Sequence, residues 1–309
     1  MFNNVFKLFA SSKLDVQSEP LISQLLYGIQ LCSYQAIKKK ARILVPNSAT
    51  LIGTVDSDGI LGENEVFVQI RRDSFKCSDA KDDRAFKKAQ ITQLMDGKHQ
   101  ILLGDIMVTR NPCLHPGDIR VLTAVDRPEF SHLYNVVVFS SKGKRPMCNM
   151  MAGGDLDGDV YFVCWDETLL GKHLKKDMVC EPAKYEKPKI LTEKPDGDSL
   201  ADYFVFYLER DVLGKIANLH LALSDYYGRD GPLHDDCIYL SHLASVAVDF
   251  AKHGECVHVD SFKQFEKLLI EDAGWPDFFE KNAKNVRKSD GILGKLYRSV
   301  VCAEPMREF

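Results

Sequence analysis

The chain has 309 residues, of which 45% are hydrophobic and 27% are charged, so it can form one large domain or two modest ones. Its 40 Lys and Arg residues against 44 Asp and Glu residues give a formal net charge of −4, which excludes a generic basic coat for nucleic acid. Any contact with nucleic acid must therefore come from local basic patches. No apolar run approaches the roughly 20 residues of a membrane span, so no membrane association is expected. The nine scattered cysteines include no CxxC pair, which excludes a zinc ribbon and argues against a disulfide scaffold.

The first predicted element is a helix that begins at about Pro20 and ends in the basic run 38–42. Apolar residues recur along it at helical spacing, and a proline is favoured at the first helical position. We expect residues 1–41 to form a helical lead-in.

Residues 42–180 are predicted to form a β domain, interrupted by a highly charged insertion at about 72–100. Short β-branched or aromatic runs are separated by turn residues. The runs lie at 42–45, 49–55, 65–70, 105–110, 118–124, 134–140 and 160–165. Because no helix alternates with the strands, a barrel is favoured over a doubly wound parallel sheet.

The remainder of the chain is predicted to be helical. Residues 181–197 are rich in Pro and Lys, which is typical of a linker or an exposed loop. Long amphipathic patterns follow at 200–227 and 233–253, and shorter ones at 261–270, 276–282 and 292–300. Residues 198–309 are thus a predicted helical domain, and the predicted fold class is α+β.

Three carboxylates, Asp155, Asp157 and Asp159, lie within five residues of one another. Alternation along an extended chain places them on one face, and Gly158 allows the backbone to bend and bring them closer. Ionised carboxylates at this spacing repel one another, and a divalent cation removes that cost. All-oxygen ligation suits Mg²⁺, with Mn²⁺ as the alternative, better than zinc.

Other carboxylate motifs fit residues 155–159 less well. A calcium loop requires Gly at its sixth position and Glu at its twelfth, and those positions are Val160 and Asp166. Phosphatases of the haloacid dehalogenase type carry DxDGT after an apolar strand, whereas here the apolar strand follows the aspartates. A Mg²⁺-dependent phosphohydrolase remains a distant alternative. The related sequence at 56–59 (DSDG) is interpreted as a hairpin turn.

Residues 153–159 (GGDLDGD) closely resemble the catalytic loop of the eukaryotic, cellular RNA-dependent RNA polymerases of RNA silencing. The resemblance extends over about residues 20–300. Its other blocks are 41–46 (ARILVP), 62–69 (GENEVFVQ), 108–120 (VTRNPCLHPGDIR), 142–146 (KGKRP), 211–220 (DVLGKIANLH), 247–250 (AVDF) and 292–298 (ILGKLYR).

The resemblance implies a double-psi β-barrel that carries the aspartate loop, followed by a mostly helical region. It implies that Asp155, Asp157 and Asp159 bind the catalytic Mg²⁺ for template-directed nucleotidyl transfer. The implied substrates are a single-stranded RNA template and ribonucleoside triphosphates, and the implied product is double-stranded RNA for silencing. Other RNA-silencing proteins are candidate partners, and the expected location is intracellular, with cytoplasm and nucleus both left open.

Several further residues are secondary candidates for the site. Lys142, Lys144 and Arg145 precede the aspartates and are candidates to contact triphosphate or RNA, with a solvated basic turn as the alternative. Lys215, which lies in a predicted helix, is a similar candidate. The candidate loop-shaping residues are Gly153, Gly154 and Gly158. His220 is interpreted as packed or solvated, and Arg110 as a structural turn residue.

Members of this family use a second barrel upstream, which supplies cationic groups to the nucleotide. No second β segment is predicted here, so we expect a partial chain that lacks the upstream barrel. This leaves a rival function, in which the chain is a catalytically inactive, truncated paralogue that binds RNA or metal.

Overall fold

The structure, a computed structural model, describes residues 20–45, 47–71, 91–92, 99–172, 174, 179–184, 195–209, 212–248 and 256–303. Most of the predicted insertion at 72–100 and the middle of the stretch 181–197 lie outside the described residues, as does the lead-in before Pro20.

The described residues form helices in both halves of the chain and a main sheet in between. The α-helices are α1 (Pro20–Lys40), α2 (Glu167–Lys172), α3 (Gly197–Glu209), α4 (Leu213–Tyr226), α5 (Asp235–Val248), α6 (Asp260–Leu268) and α7 (Ile292–Ala303). The strands are β1 (Ser48–Val55), β2 (Glu65–Arg71), β3 (Ile91–Thr92), β4 (His99–Leu102), β5 (Gly104–Arg110), β6 (Arg120–Ala124), β7 (Val136–Phe139), β8 (Val160–Cys164), β9 (Trp275–Pro276) and β10 (Val286–Arg287).

Six strands close into a barrel in the order β2-β6-β5-β8-β1-β7, because β7 pairs back onto β2. The pairs β1–β7 and β2–β6 are parallel, and the other four pairs are antiparallel. Strands β3 and β4 extend the sheet beyond β2. The predicted barrel is therefore confirmed, and closure removes the free edges from its six strands.

Inward-facing residues of the six strands fill the barrel. Val68, Ile106 and Val137 are completely buried, and the Phe139 ring packs edge-on against Tyr161 with centroids 4.8 Å apart. Met151 is completely buried in the same core, and the partly buried Leu156 packs against it. The loop before β8 is thus anchored to the barrel by side chains on both sides of its first carboxylate.

Two local expectations are wrong. Residues 42–45, predicted as a strand, are irregular: the preceding Ala41 adopts φ 47°, and Leu44 is 79% exposed. The pattern at 276–282 is only a 3-10 turn, Asp277–Phe279, which ends where Glu280 takes left-handed φ 51°. Hydrophobic spacing suggested both elements, but left-handed backbone at the adjacent residues interrupts them.

Helices α4 and α5 pack against each other through small and aliphatic residues. Ile216, Ala222 and Leu223 of α4 are completely buried, as are Cys237 and Leu240 of α5. The single long pattern predicted at 200–227 is divided into α3 and α4. Within the part of the chain that the structure describes, no helix combines the length and hydrophobicity that crossing a membrane requires.

The chain divides into two compact units. Residues 45–267 hold the barrel and helices α2–α6 except the last residue of α6, while residues 1–44 and 268–309 form the second unit. In the second unit α1 packs on α7, and β9 pairs in parallel with β10. The predicted helical segment 198–309 is therefore distributed over both units, and the bounds of the four predicted segments stay predictions.

We expect Phe139→Ala to lower the free energy of unfolding by about 3–5 kcal/mol, because it opens a cavity beside Tyr161 in the barrel core. Urea titration of the 309-residue chain measures this loss. Ile52→Ala is the control, since Ile52 lies on β1 but is 52% exposed. Equal losses in the two variants would contradict the assignment of the core.

Candidate active site

The three aspartates lie on the loop that enters β8, a strand held between β1 and β5. The loop turns through left-handed backbone at Ala152 (φ 50°), Gly153 (φ 68°), Leu156 (φ 63°) and Gly158 (φ 123°). The Gly53 N–H of β1 donates a hydrogen bond to the Asp159 carbonyl at 3.0 Å. The end of the loop is therefore joined to the barrel wall.

Asp155, Asp157 and Asp159 each place a carboxylate oxygen within 4.8 Å of the other two. Asp155 and Asp157 are exposed, whereas Asp159 is only 9% exposed. Oxygen ligands around an octahedral Mg²⁺ at about 2.1 Å lie about 3–4 Å from one another. The observed grouping is close to that spacing, so this oxygen-only donor set fits a divalent cation. The sequence predicted this grouping, and the structure brings the three residues together.

Arg110, at the end of β5, pairs with Asp159. Its Nε and Nη2 both lie 2.7 Å from Asp159 Oδ1, and the Asp159 side chain is 7% exposed. Asp159 Oδ2 accepts hydrogen bonds from the N–H groups of Asp155 at 3.0 Å and Leu156 at 3.3 Å. Both oxygens of Asp159 are thus engaged, which fixes one carboxylate of the triad and reduces its repulsion of the others.

The backbone carbonyl and N–H of Ala152 both form hydrogen bonds with side chains of the segment 110–118, which begins at the end of β5. Arg110 Nη1 donates to the Ala152 carbonyl at 2.7 Å, and the Ala152 N–H donates to Asp118 Oδ1 at 2.9 Å. Asp118 is 2% exposed, and its Oδ2 accepts from the His115 N–H at 3.1 Å. These bonds hold the start of the aspartate loop at the left-handed residue Ala152.

Two glycines let Tyr161 lie beneath the loop. A Cβ on Gly154 would stand 2.6 Å from the Tyr161 hydroxyl and 2.9 Å from the Cys148 carbonyl, and a Cβ on Gly53 would stand 2.4 Å from the Tyr161 ring. Burial raises the pKa of Tyr161, and Cys148 and the nearby Asp159 raise it further, so the hydroxyl keeps its proton. Tyr161 supports the loop as a neutral side chain.

The secondary candidates lie in different surroundings. Lys142 and Lys144 are exposed in the loop before the aspartates, and Lys215 is exposed on α4. Arg145 is used inside the chain: Nε donates to Asn149 Oδ1 at 2.8 Å, Nη2 to the Asn149 carbonyl at 3.0 Å, and Nη1 to the Ala183 carbonyl at 2.8 Å. Arg145 therefore fastens the turn just before the aspartate loop, while the three lysines point charge into solvent.

His220 of α4 is 6% exposed, and burial lowers its pKa, so its imidazole is neutral near pH 7. This agrees with its interpretation as a packed residue. The second DxDG sequence is a turn, as expected, but the expected hairpin is wrong, because β1 and β2, which the turn joins, pair with other strands and not with each other. Asp56 is completely buried there, and its Oδ2 accepts from the Leu61 N–H at 2.7 Å.

Sequence reasoning missed the roles of Arg110 and Asp118. Arg110 lies 49 residues from Asp159, and Asp118 lies 34 residues from Ala152. Only the pairing of β5 with β8, which sets Arg110 opposite Tyr161, brings these groups together. The available sequence signal was a polar segment directly after a strand, where site residues are common.

A family model described as RNA dependent RNA polymerase matches residues 2–300. The chain belongs to this family. "Probable RNA-dependent RNA polymerase SHL2" of Oryza sativa subsp. japonica is 34% identical over 302 residues, which cover 96% of this chain and 23% of that protein. "RNA-dependent RNA polymerase 1" of Schizosaccharomyces pombe is 34% identical over 273 residues, covering 85% of this chain and 21% of that protein.

A solved structure supports the fold. "RNA dependent RNA polymerase QDE-1 from Thielavia terrestris" matches with a TM-score of 0.62 and 23% identity, over 94% of this chain and 32% of that chain. The chain spans about a quarter of the length of the curated relatives it matches. The resemblance inferred from residues 153–159 and the accompanying blocks is therefore confirmed as family membership.

We expect Arg110→Ala to lower the free energy of unfolding by about 3–5 kcal/mol, because it leaves the nearly buried Asp159 carboxylate without its cation. Urea titration at constant pH, without divalent cations, measures the loss. Arg127→Ala is the control: its 3.1 Å ion pair with Glu65 is more exposed, with side chains 36% and 29% exposed. That pair should be worth less than about 1 kcal/mol. Similar losses for the two variants would show that the Arg110 pair has no special role.

Gly154→Ala should displace the aspartate loop, since the added methyl group meets Tyr161, Cys148 and Arg110. The expected cost is about 1–3 kcal/mol of unfolding free energy, together with weaker Mn²⁺ binding in an electron paramagnetic resonance titration. Gly214→Ala on α4 is the control, because a Cβ there meets no atom within 4 Å. Mn²⁺ affinity equal to that of the unmodified chain would rule out the close approach at Gly154.

Proposed function

We propose that this chain is the aspartate-bearing catalytic portion of an RNA-directed RNA polymerase, which copies single-stranded RNA from ribonucleoside triphosphates. The observation that carries the proposal is the triad Asp155, Asp157 and Asp159, with its carboxylate oxygens grouped within 4.8 Å on a loop fastened to the barrel. Membership of the RNA-dependent RNA polymerase family supports it. The product is double-stranded RNA for silencing, made inside the cell with other silencing proteins as candidate partners.

Mg²⁺ is the proposed ion, with Mn²⁺ able to replace it, because the site offers carboxylate oxygens and neither thiolate nor imidazole. When bound, the ion would lower the pKa of the attacking 3′-hydroxyl and neutralise charge on the phosphates.

The aspartates and the nearby lysines have different roles in the proposed site. Asp159, held by Arg110, supplies a fixed ligand position, and the exposed Asp155 and Asp157 adjust around the ion. Such preorganisation removes part of the cost of assembling the site at the moment of reaction. The exposed Lys142 and Lys144 of the preceding loop are candidates to attract triphosphate or RNA, and Lys215 of α4 is a further candidate for the same role.

Asp157→Ala should lower template-directed, Mg²⁺-dependent ribonucleotide incorporation by about a hundredfold or more, because several kcal/mol of transition-state charge stabilisation are lost with the ion. Incorporation of labelled nucleotide on single-stranded RNA measures this. Asp58→Ala is the matched control: Asp58 is also exposed in a DxDG sequence, but it lies in the turn between β1 and β2. Unchanged ribonucleotide incorporation by the Asp157→Ala variant would contradict the catalytic role proposed for the three aspartates.

The second candidate is a chain that binds metal or RNA but does not polymerise. It is favoured by the length of this chain, which spans 23–24% of the relatives from rice and Arabidopsis. Incorporation by the purified chain alone contradicts it. Incorporation regained only after adding the upstream portion of a relative indicates a divided enzyme. Phosphate release from small phosphoesters without template would instead favour the phosphohydrolase.

A further inference from the structure

The compact unit built from both ends of the chain has a charge balance opposite to that of the whole protein. Its residues 20–44 contain four basic residues and no acidic residue, and residues 268–303 contain six basic and five acidic residues. This part of the unit therefore has an excess of five positive charges, in a chain whose net charge is −4. The excess marks a local basic patch of the kind that nucleic-acid contact requires here.

Two of the five acidic residues are committed to internal bonds. Asp277 forms an ion pair with Arg298 of α7 and accepts a hydrogen bond from the Ser289 N–H at 3.2 Å, while Arg298 Nη2 donates to the Ser289 carbonyl at 2.6 Å. Glu280 lies 2.7 Å from Lys38 Nζ of α1 and accepts from the Tyr297 hydroxyl at 3.1 Å. The hydrogen bond from Lys38 is the main cause of the lowered pKa of Glu280.

These bonds fasten the segment 277–289 to α1 and α7 and neutralise its acidic side chains from within. Lysines remain on the outside. Lys39, Lys284 and Lys288 are exposed, and Lys284 and Lys288 form no ion pair with another residue that the structure describes. Lys281 is exposed, and its Nζ lies 3.2 Å from the centroid of the Trp275 ring, a cation–π contact that orients the ammonium group. We call Lys39, Lys40, Lys281, Lys284 and Lys288 the lysine surface.

We propose that the lysine surface binds the sugar–phosphate backbone of RNA without reading its sequence. Exposed ammonium groups contact phosphates without reading bases, and binding releases the counterions condensed on the RNA. Trp275 is 7% exposed beneath Lys281, so it offers no face on which a base could stack. The inference rests on the proposed function, since it assigns a second contact to the same RNA substrate.

The test is RNA binding by the 309-residue chain, measured by fluorescence anisotropy with a labelled 20-nucleotide single strand and with its duplex. Lys284→Glu/Lys288→Glu should weaken binding about tenfold or more at low salt. The slope of log affinity against log salt should decrease by about 1.4 for the single strand and about 1.8 for the duplex, which is the loss of two phosphate contacts. A slope change that reaches its expected value for the single strand alone identifies template, and one that reaches its expected value for the duplex alone identifies product.

Arg229→Glu/Lys263→Glu is the matched control, because both residues are exposed in the other unit and the change in net charge is the same. It should change affinity by less than twofold. An equal loss in the two double variants, or no loss in Lys284→Glu/Lys288→Glu, overturns the proposal. Lys284→Gln/Lys288→Gln removes the charge without adding repulsion and must show an intermediate loss. More effective competition by polyaspartate than by RNA at equal charge also overturns it, in favour of an acidic protein partner.

Failure of this inference is separable from failure of the proposed function. Asp157→Ala should keep RNA affinity close to that of the unmodified chain, since the lysine surface is intact. If the chain binds RNA through Lys284 and Lys288 but incorporates no nucleotide, the proposal for the lysine surface stands and the proposed polymerase function fails. If the chain incorporates nucleotide and the double variant leaves the salt dependence of RNA binding unchanged, the proposed function stands and the proposal for the lysine surface fails.

Discussion

The hydrogen bonds of the backbone N–H and carbonyl of Ala152 determine where the aspartate loop begins. Arg110 donates to its carbonyl and the buried Asp118 accepts from its N–H, and both residues come from the segment at the end of β5. Arg110 also pairs with Asp159 at the other end of the loop. One segment thus fixes both ends of the loop. Asp155 and Asp157 lie between these fixed points and remain exposed, as ligands that must exchange substrate and ion require.

The barrel makes this arrangement possible because β5 and β8 are neighbours in it, with Arg110 opposite Tyr161. Tyr161 fills the space beneath the loop, and the absence of side chains at Gly53 and Gly154 lets the loop approach it closely. Met151 and Leu156 extend the same core into the loop. Strand closure, core packing, the hydrogen bonds of Ala152 and the ion pair of Asp159 therefore act on one short segment, which is the property that a preorganised metal site needs.

Charge is distributed to match these roles. Carboxylates are grouped on the aspartate loop, whereas the described ends of the chain together form a basic unit in which Asp277 pairs with Arg298 and Glu280 pairs with Lys38. The net charge of −4 conceals this division. The chain spans 23% and 24% of the length of the two relatives from rice and Arabidopsis.

The sequence by itself determined the triad, the preference for an oxygen-ligated divalent ion, the barrel and the helical remainder. Each follows from local information: two-residue spacing of carboxylates, alternation along strands, and helical periodicity. Only the tertiary structure decided that Arg110 and Asp118 hold the loop, that Arg145 is bonded to Asn149 and Ala183, and that α1 and α7 form one unit. Apart from the bond between Arg145 and Asn149, these contacts join residues tens to hundreds of positions apart. The order of the strands and the closure of the barrel determine these contacts, and the local spacing of residues in the sequence does not indicate which strand ends will meet.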